Sequence, residues 1–322
     1  MQCLYCNNNT LSRSLSGIKD HRGVFTKTYS FSKCDACGSL LQWPLPLPQE
    51  LGNSYPAGYT FKKETGSGIR KLINRIEWAL FYKHSYSSSV KFVKKHIGIN
   101  EGRLLEIGCG SGLRLYEFYK AGFDCTGYDF SEEDINYAGS LEGIKAFKKN
   151  IEDEEIPAES FGLIVSNHLI EHLYNPGKLI EKIGKGLTAG GYTVMGIPMI
   201  DGLTSRAAGV KWSGVKEVPR HITVPSSAGI TKLLEQNGFT NIKIIPASAF
   251  DIAADAALTI MPSASYSSVT NKSFLAALFN RLLSAMLMLI LIAPIKILIM
   301  AGVKQSLSVV LAQKSAGEAK NE

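Results

Sequence analysis

The sequence predicts a doubly wound α/β domain on a seven-stranded sheet, preceded by a small cysteine-bearing module and interrupted late by an apolar helical insertion. Three observations carry this. From residue 103 onward, short apolar runs alternate with amphipathic stretches of about ten residues, the pattern of βαβ units. Ahead of that pattern stand two C-x-x-C pairs, Cys3/Cys6 and Cys34/Cys37. Near its end lies an uncharged run of 14 residues, Leu282–Ile295.

Residues 1–45 hold β-prone pieces around the cysteine pairs. Gly38, directly after Cys37, frees the backbone for the turn of a metal knuckle. The N-terminus MQCLYC has neither the basic nor the apolar region of a secretory signal. Paired C-x-x-C in a reducing cytoplasm predicts one structural zinc on Cys3, Cys6, Cys34 and Cys37, not a disulfide framework. The other two cysteines, Cys109 and Cys125, sit in apolar runs.

Residues 46–97 read as linker and leading helices. Trp43-Pro44-Leu45-Pro46-Leu47-Pro48 excludes a helix interior. Ile69, Leu72, Ile73, Ile76, Leu80 and Phe81 then recur at helical spacing. The main domain spans 98–313, with the apolar insertion at about 255–303 and a polar tail at 314–322. Its strands are predicted at 103–107, 123–128, 144–147, 162–166, 192–197, 241–245 and 306–311. Helices are predicted at 113–121, 131–141, 176–184 and 226–237. A net charge of +7 spread along 322 residues, with no Lys/Arg block dense enough to argue for nucleic acid, predicts no nucleic-acid partner and leaves a weak pull toward other anionic ones, such as a membrane surface or a phosphorylated substrate.

The sharpest motif is Glu106-Ile-Gly108-Cys109-Gly110-Ser111-Gly112. An apolar strand runs into three alternating glycines, which allow a tight turn and close approach of a ligand to the main chain. Dinucleotide folds use G-x-G-x-x-G instead. The motif, with Gly127-Tyr128-Asp129 closing the next strand, resembles the class I S-adenosylmethionine-dependent methyltransferases, whose sheet is Rossmann-like. The resemblance covers roughly residues 85–250 and the last strand. It implies that Glu106, Gly108, Cys109, Gly110 and Gly112 hold the methionine part of S-adenosylmethionine and that Asp129 holds the ribose hydroxyls. Asn150 and Ile151 would meet the adenine, with Asn150 replacing the family's usual Asp. Asn167 closes the fourth strand beside the cofactor. Trp212, Pro219-Arg220-His221 and Leu234-x-x-x-Gly238-Phe239 resemble a bacterial branch linked to cell-surface sugar biosynthesis, some of whose members carry a similar cysteine module. That implies a small-molecule acceptor, a sugar or lipid-linked sugar, touched by Trp212 and Arg220. A quinone or other lipid-soluble acceptor is the alternative, and a non-catalytic zinc-module adaptor is a weaker one, opposed by the intact glycines and Asp129.

Methyl transfer to a hydroxyl needs alignment and a group to take the proton. His168, Glu171 and His172 follow the fourth strand, and His221 lies in a later loop. His168 is the first choice of base, because it directly follows the strand facing the methyl group. His168-Leu-Ile-Glu171-His172 also matches H-x-x-E-H of metallopeptidases, but inside a methyltransferase frame and with no further acidic ligand. Ubiquinone-pathway O-methyltransferases resemble the stretch with E-x-x-E-H, which binds a divalent ion in some of them; His168 stands at the first Glu.

Arg281 and Lys296 bracket the uncharged run and Pro294 interrupts it. The run is shorter than the ~20 residues of a span, and the last strand must return to the sheet. The sequence therefore predicts an interfacial helix or re-entrant hairpin at 275–303, giving peripheral contact with the inner face of the cell membrane. A homodimer interface or a core helix is the alternative.

Overall fold

The computed structural model describes residues 2–55, 60–62, 68–262 and 274–316. The N-terminal part forms β1 (Leu11–Lys19), β2 (Thr28–Cys34) and β3 (Leu40–Gln42), followed by α1 (Pro48–Asn53). Next come α2 (Gly68–Glu77), a π turn (Trp78–Tyr82) and α3 (Lys83–His96). The main domain then alternates through β4 (Gly102–Ile107), α4 (Leu113–Lys120), β5 (Phe123–Asp129), α5 (Glu132–Gly139), β6 (Ile144–Lys148) and β7 (Phe161–Asn167). It continues with α6 (Pro176–Gly186), β8 (Leu187–Pro198), α7 (Leu203–Ala208), α8 (Ser213–Lys216), β9 (Thr223–Val224), α9 (Ser227–Gln236) and β10 (Phe239–Pro246). The last elements are α10 (Ala249–Ile260), α11 (Phe274–Met300) and β11 (Leu307–Lys314).

The seven-stranded sheet has the order β10-β11-β8-β7-β4-β5-β6. Five strands pair in parallel, while β11 runs antiparallel to both β8 and β10. The apolar runs predict the strands but not this direction. It follows from the connection, in which the chain leaves β10 through the α10–α11 hairpin and returns beside it. Strand alternation fills both faces. Leu105, Ile107 and Ile164 pack under Ile180, Ile183 and Ile230 of α6 and α9. Leu104, Leu163 and Val165 pack under Val93, Leu115 and Ile135 of α3, α4 and α5.

The chain order reverses at β4, which lies between β5 and β7. In open α/β sheets, the carboxyl end of such a strand is where ligands bind.

A second sheet, β1-β2-β3-β9, takes its last strand from the main domain. Leu40 and Leu41 pair with Val224 and Thr223. Behind it Ile18, Phe31 and Leu40 share a core with Trp212, Val215 and Val218. The cysteine region is thus joined to the loops around residues 212–226.

Helix α11 is continuous over 27 residues and passes through Pro294. Pro294, expected to interrupt this stretch, instead lies inside the helix. On a largely exposed helix, the proline removes one backbone donor and its ring pushes on one carbonyl, and neighbouring turns hold the rest. Its segment Phe279–Met300 is long and apolar enough to cross a membrane by length and composition. Met288 and Ile295 pack on Ile252, Ala253 and Ala257 of α10.

Candidate functional site

The loop after β4 is shaped by Gly108, Gly110 and Gly112, all at positive φ (71°, 50° and 69°). The amides of Gly108 and Cys109 donate to the Tyr128 carbonyl, at 2.8 and 3.1 Å, which ties the loop to the end of β5. Gly110 N donates to Asp129 Oδ2 at 2.8 Å and Ser131 N to Oδ1 at 2.9 Å. Burial lifts the Asp129 pKa, and these amide donors offset part of the rise.

Glu106 is 3% exposed. Burial pushes its pKa up to about 7, against the pull of Arg114, whose Nη1 lies 3.9 Å away. Its Oε2 is buried with no hydrogen-bond partner. A buried carboxylate oxygen without a donor is costly. Glu106 is one of the residues lining a cavity of about 790 Å³, and an ammonium group of a ligand bound there would supply the missing donor. Gly108, Cys109, Gly110, Asp129, Asn150, Ile151 and Asn167 line the same cavity. Gly112 instead lets the chain enter α4 against Ala138, whose Cβ would lie 2.8 Å from an added Cβ. Asn150 lines the wall, but its amide oxygen already accepts from Glu152 N at 3.2 Å.

His168 and His172 also line this cavity. His168 sits at φ 51°, an unfavourable region for a side-chain-bearing residue. Its side chain is 44% exposed, and Nδ1 lies 3.2 Å from Oε1 of the fully buried Glu171. Desolvation opposes its protonation, but the Glu171 carboxylate outweighs that and raises the pKa. His172 and His221 behave oppositely. Burial lowers them to about 3 and about 4, so both are neutral near pH 7. Their Nδ1 atoms lie 3.0 and 2.6 Å from the carbonyls of Arg220 and Gly214. Nδ1 is then the protonated nitrogen, which leaves the Nε2 lone pair for another partner. Ligand atoms of Glu171, His172 and His221 lie within 4.8 Å of one another, and Glu171 Oε2 is buried and unpartnered. The sequence pointed to His168, Glu171 and His172; the set with converging ligand atoms replaces His168 by His221.

A methyltransferase domain model matches residues 78–244, just over half of the chain. The chain belongs to the methyltransferase domain family. The ubiquinone biosynthesis O-methyltransferase of Caulobacter sp. (strain K31) is 30% identical over 99 residues, which is 29% of this chain and 39% of that protein. The like-named protein of Hydrogenovibrio crunogenus is 25% identical over 152 residues, 45% of this chain and 58% of that protein. The chain thus spans between about two fifths and three fifths of these relatives. Among solved structures, phosphoethanolamine N-methyltransferase 2 of Haemonchus contortus with S-adenosylmethionine bound superposes with TM-score 0.50. It is 15% identical, over 78% of this chain and 61% of that one. The [4+2]-cyclase SpnF superposes with TM-score 0.50 at 14% identity, over 74% of this chain and 83% of that one. These likenesses confirm the class I methyltransferase fold, and a cyclase among them shows that the fold alone does not fix the reaction.

Two residues expected to touch an acceptor, Trp212 and Arg220, line neither the cavity at the glycine loop nor the neighbouring one beside Pro246 and Leu307. Trp212 is fully buried in the core shared with the N-terminal sheet, and its Nε1 donates to Asp255 Oδ2 at 3.1 Å. Arg220 is also fully buried. Its guanidinium bonds Asp20 Oδ1 at 2.5 Å, Glu217 Oε2 at 2.8 Å and the Ser54 carbonyl at 2.8 Å. Their polar ends meet partners inside the protein, as buried polar groups must. His221, read as a possible base, lies 5% exposed behind His172.

Sequence reasoning missed the segment that covers the cavity. Pro48, Leu51, Tyr55, Thr60 and Lys62 line it. Thr60 Cγ2 would lie 2.9 Å from a Cβ added at Gly110, and Ser111 Oγ donates to the Phe61 carbonyl at 2.7 Å. Lys62 pairs with Asp134 at 2.5 Å and Glu133 at 3.1 Å on α5. Tyr55 Oη lies 3.2 Å from His172 Nδ1. No local motif marks these residues, because their role comes from where the linker lands.

The four N-terminal cysteines are buried with ligand atoms within 4.8 Å of one another. The Cys3–Cys37 and Cys6–Cys34 sulfur separations are 3.6 and 3.5 Å. A tetrahedron with Zn–S of about 2.3 Å has edges of about 3.8 Å, so the set fits zinc. Contact with Cys3, opposed by burial and aided by Ser39, brings the Cys37 thiol down to about 4. The Cys37 carbonyl accepts from Ser226 Oγ at 2.5 Å, and Ser226 caps α9. The cysteine cluster thereby holds the chain just beyond His221.

Proposed function

We propose that this chain transfers the methyl group of S-adenosylmethionine to a hydroxyl oxygen of a lipid-soluble acceptor of the quinol type. The observation that carries the reading is His168, exposed in the wall it shares with the glycine loop and Asp129 and backed by buried Glu171. The names of the curated relatives support the quinone class over the sugar class expected from residues 212–239. The free Glu106 oxygen, the glycine turn and Asp129 favour catalysis over an adaptor role.

The sulfonium supplies an activated methyl. The chain then has two tasks. The glycine loop, Glu106 and Asp129 fix the donor, so that acceptor oxygen, methyl carbon and sulfur come into line. His168 takes the hydroxyl proton as the C–O bond forms and the C–S bond breaks, releasing the neutral thioether. Glu171 steadies the imidazolium. His168→Asn should lower the single-turnover rate on a short-chain catechol or quinol probe by about 10²–10⁴ while donor binding stays intact. A rate within about threefold of wild type would mean that alignment alone does the work.

A second reading has one specific support. With both Nδ1 atoms held by backbone carbonyls, the Nε2 lone pairs of His172 and His221 are left to meet an ion together with Glu171 beside the cavity. A divalent ion there would polarise the acceptor oxygen. Loss of turnover to a chelator and recovery with magnesium or zinc would select this reading over a simple base. We also assign a structural zinc to Cys3, Cys6, Cys34 and Cys37. Elemental analysis should find about one zinc per chain beyond any ion at the histidines; an ordered N-terminal sheet without zinc would remove it.

A further inference from the structure

We infer that α11 docks this enzyme on an anionic lipid bilayer, lying in the interface plane. At about 1.5 Å per residue, its 27 residues extend about 40 Å. One face packs on α10. The other exposes Phe279, Leu282, Met286, Leu289, Ile290 and Ile297, each 55–68% accessible. Spacings of three, four and seven keep most of them on one stripe. An exposed apolar stripe of this length needs a cover.

Charge selects the cover. From residue 256 to 317 the sequence contains no acidic residue; Lys304 and Lys314 pair with Asp201 and Glu159 elsewhere in the fold, so the charges carried by α11 itself are the basic Arg281 and Lys296. Apolar side chains interleaved with positive charge suit an anionic lipid surface. A second copy of the chain would instead press one acid-free basic helix against another, setting like charges face to face.

Topology sets the depth. The hairpin starts from β10 and ends in β11, adjacent strands of one sheet. Both ends therefore lie on the same side, and α11 cannot cross alone without pulling β11 from its pairing with β8 and β10.

The root of the hairpin meets a second cavity, of about 380 Å³. Pro246, Ala247, Ser248 and Leu307 line it, and it shares Arg114, Asn167 and His168 with the donor cavity. A lipid-soluble acceptor would enter here from the bilayer. That route rests on the acceptor class proposed above; docking itself does not.

The test is flotation of the full-length protein with vesicles of pure phosphatidylcholine or of phosphatidylcholine with 30% phosphatidylglycerol. Wild type should float with the anionic vesicles, less so in high salt. The exposed double variant Met286→Glu/Ile290→Glu should float at least about tenfold less. S-adenosylmethionine binding and turnover of a short-chain quinol by the variants report folding and the active site separately. A milder pair, Met286→Gln/Ile290→Gln, covers a failure of the first to fold. Protein that stays off both vesicle types overturns docking. So does a stable dimer, measured by light scattering, that the variants break into monomers without changing flotation. Flotation without turnover would count against the proposed chemistry and not against docking.

Discussion

Removing the Arg220 side chain should destabilise the protein without directly removing an acceptor contact. Arg220→Ala deletes bonds to Asp20, Glu217 and the Ser54 carbonyl and leaves two carboxylates in a site with no exposure at the guanidinium. Breaking a buried pair costs about 3–5 kcal/mol. The lower end applies, because both acids keep other donors. Asp20 retains the amides of Arg22, Val24 and Phe25 at 2.9–3.3 Å. Glu217 retains Arg22 at 2.6 Å and His21 at 3.2 Å. A loss of about 3 kcal/mol corresponds to a melting shift of roughly 4–5 °C for a chain of this size, with about 2.1 cal/mol/K of unfolding entropy per residue. Arg220→Lys should recover part of it, since an ammonium keeps the charge but not the fork. Thermal unfolding by differential scanning fluorimetry, run beside acceptor kinetics, decides the matter. A melting point within about 1 °C of wild type together with a raised acceptor KM would place Arg220 on the substrate and refute the structural role.

Other outcomes follow from the same geometry. Glu171→Gln removes the carboxylate that raises the His168 pKa, so the ascending limb of the pH–rate profile should move to lower pH; an unmoved limb would separate Glu171 from the base. His172 and His221 are held below their ordinary value of 6.5, to about 3 and about 4. The unfolded chain therefore binds protons first as pH falls, and stability should drop from pH 6.5 down to about 4 for His221 and about 3 for His172. Glu217 is held well below 4.5, so its contribution is complete above that value and is lost on further acidification. Equilibrium denaturation across pH checks both, and His172→Gln should flatten the first window. Stripping zinc from the cysteine cluster should loosen β1–β3 and, through Ser226, the chain beyond His221; hydrogen exchange would show it, and unchanged protection would contradict the coupling.

The sheet was legible because its central strands are buried on both faces and so read as short, mostly apolar runs, as at Leu104-Leu105-Glu106-Ile107, where Glu106 alone breaks the pattern. The glycine loop was legible because its backbone needs three positive φ values in five residues. Arg220 and Trp212 misled, because a polar loop motif looks the same whether it faces solvent or is clamped by Asp20 from two hundred positions away. The Glu171–His221 approach and the Tyr55 and Lys62 walls were invisible for the same reason: long-range packing creates them, and no local spacing records it. The direction of β11 was set by the hairpin before it, not by its own residues.

Isothermal titration of the protein with S-adenosylmethionine, repeated on Asp129→Ala, measures whether the glycine loop and Asp129 hold the donor. The wild type should show one site per chain. The variant should bind at least about a hundredfold more weakly, because a charged acceptor bonds two hydroxyls there. No measurable heat for S-adenosylmethionine or its demethylated product in zinc-replete protein, or equal affinity in the variant, would contradict that role of the loop and Asp129.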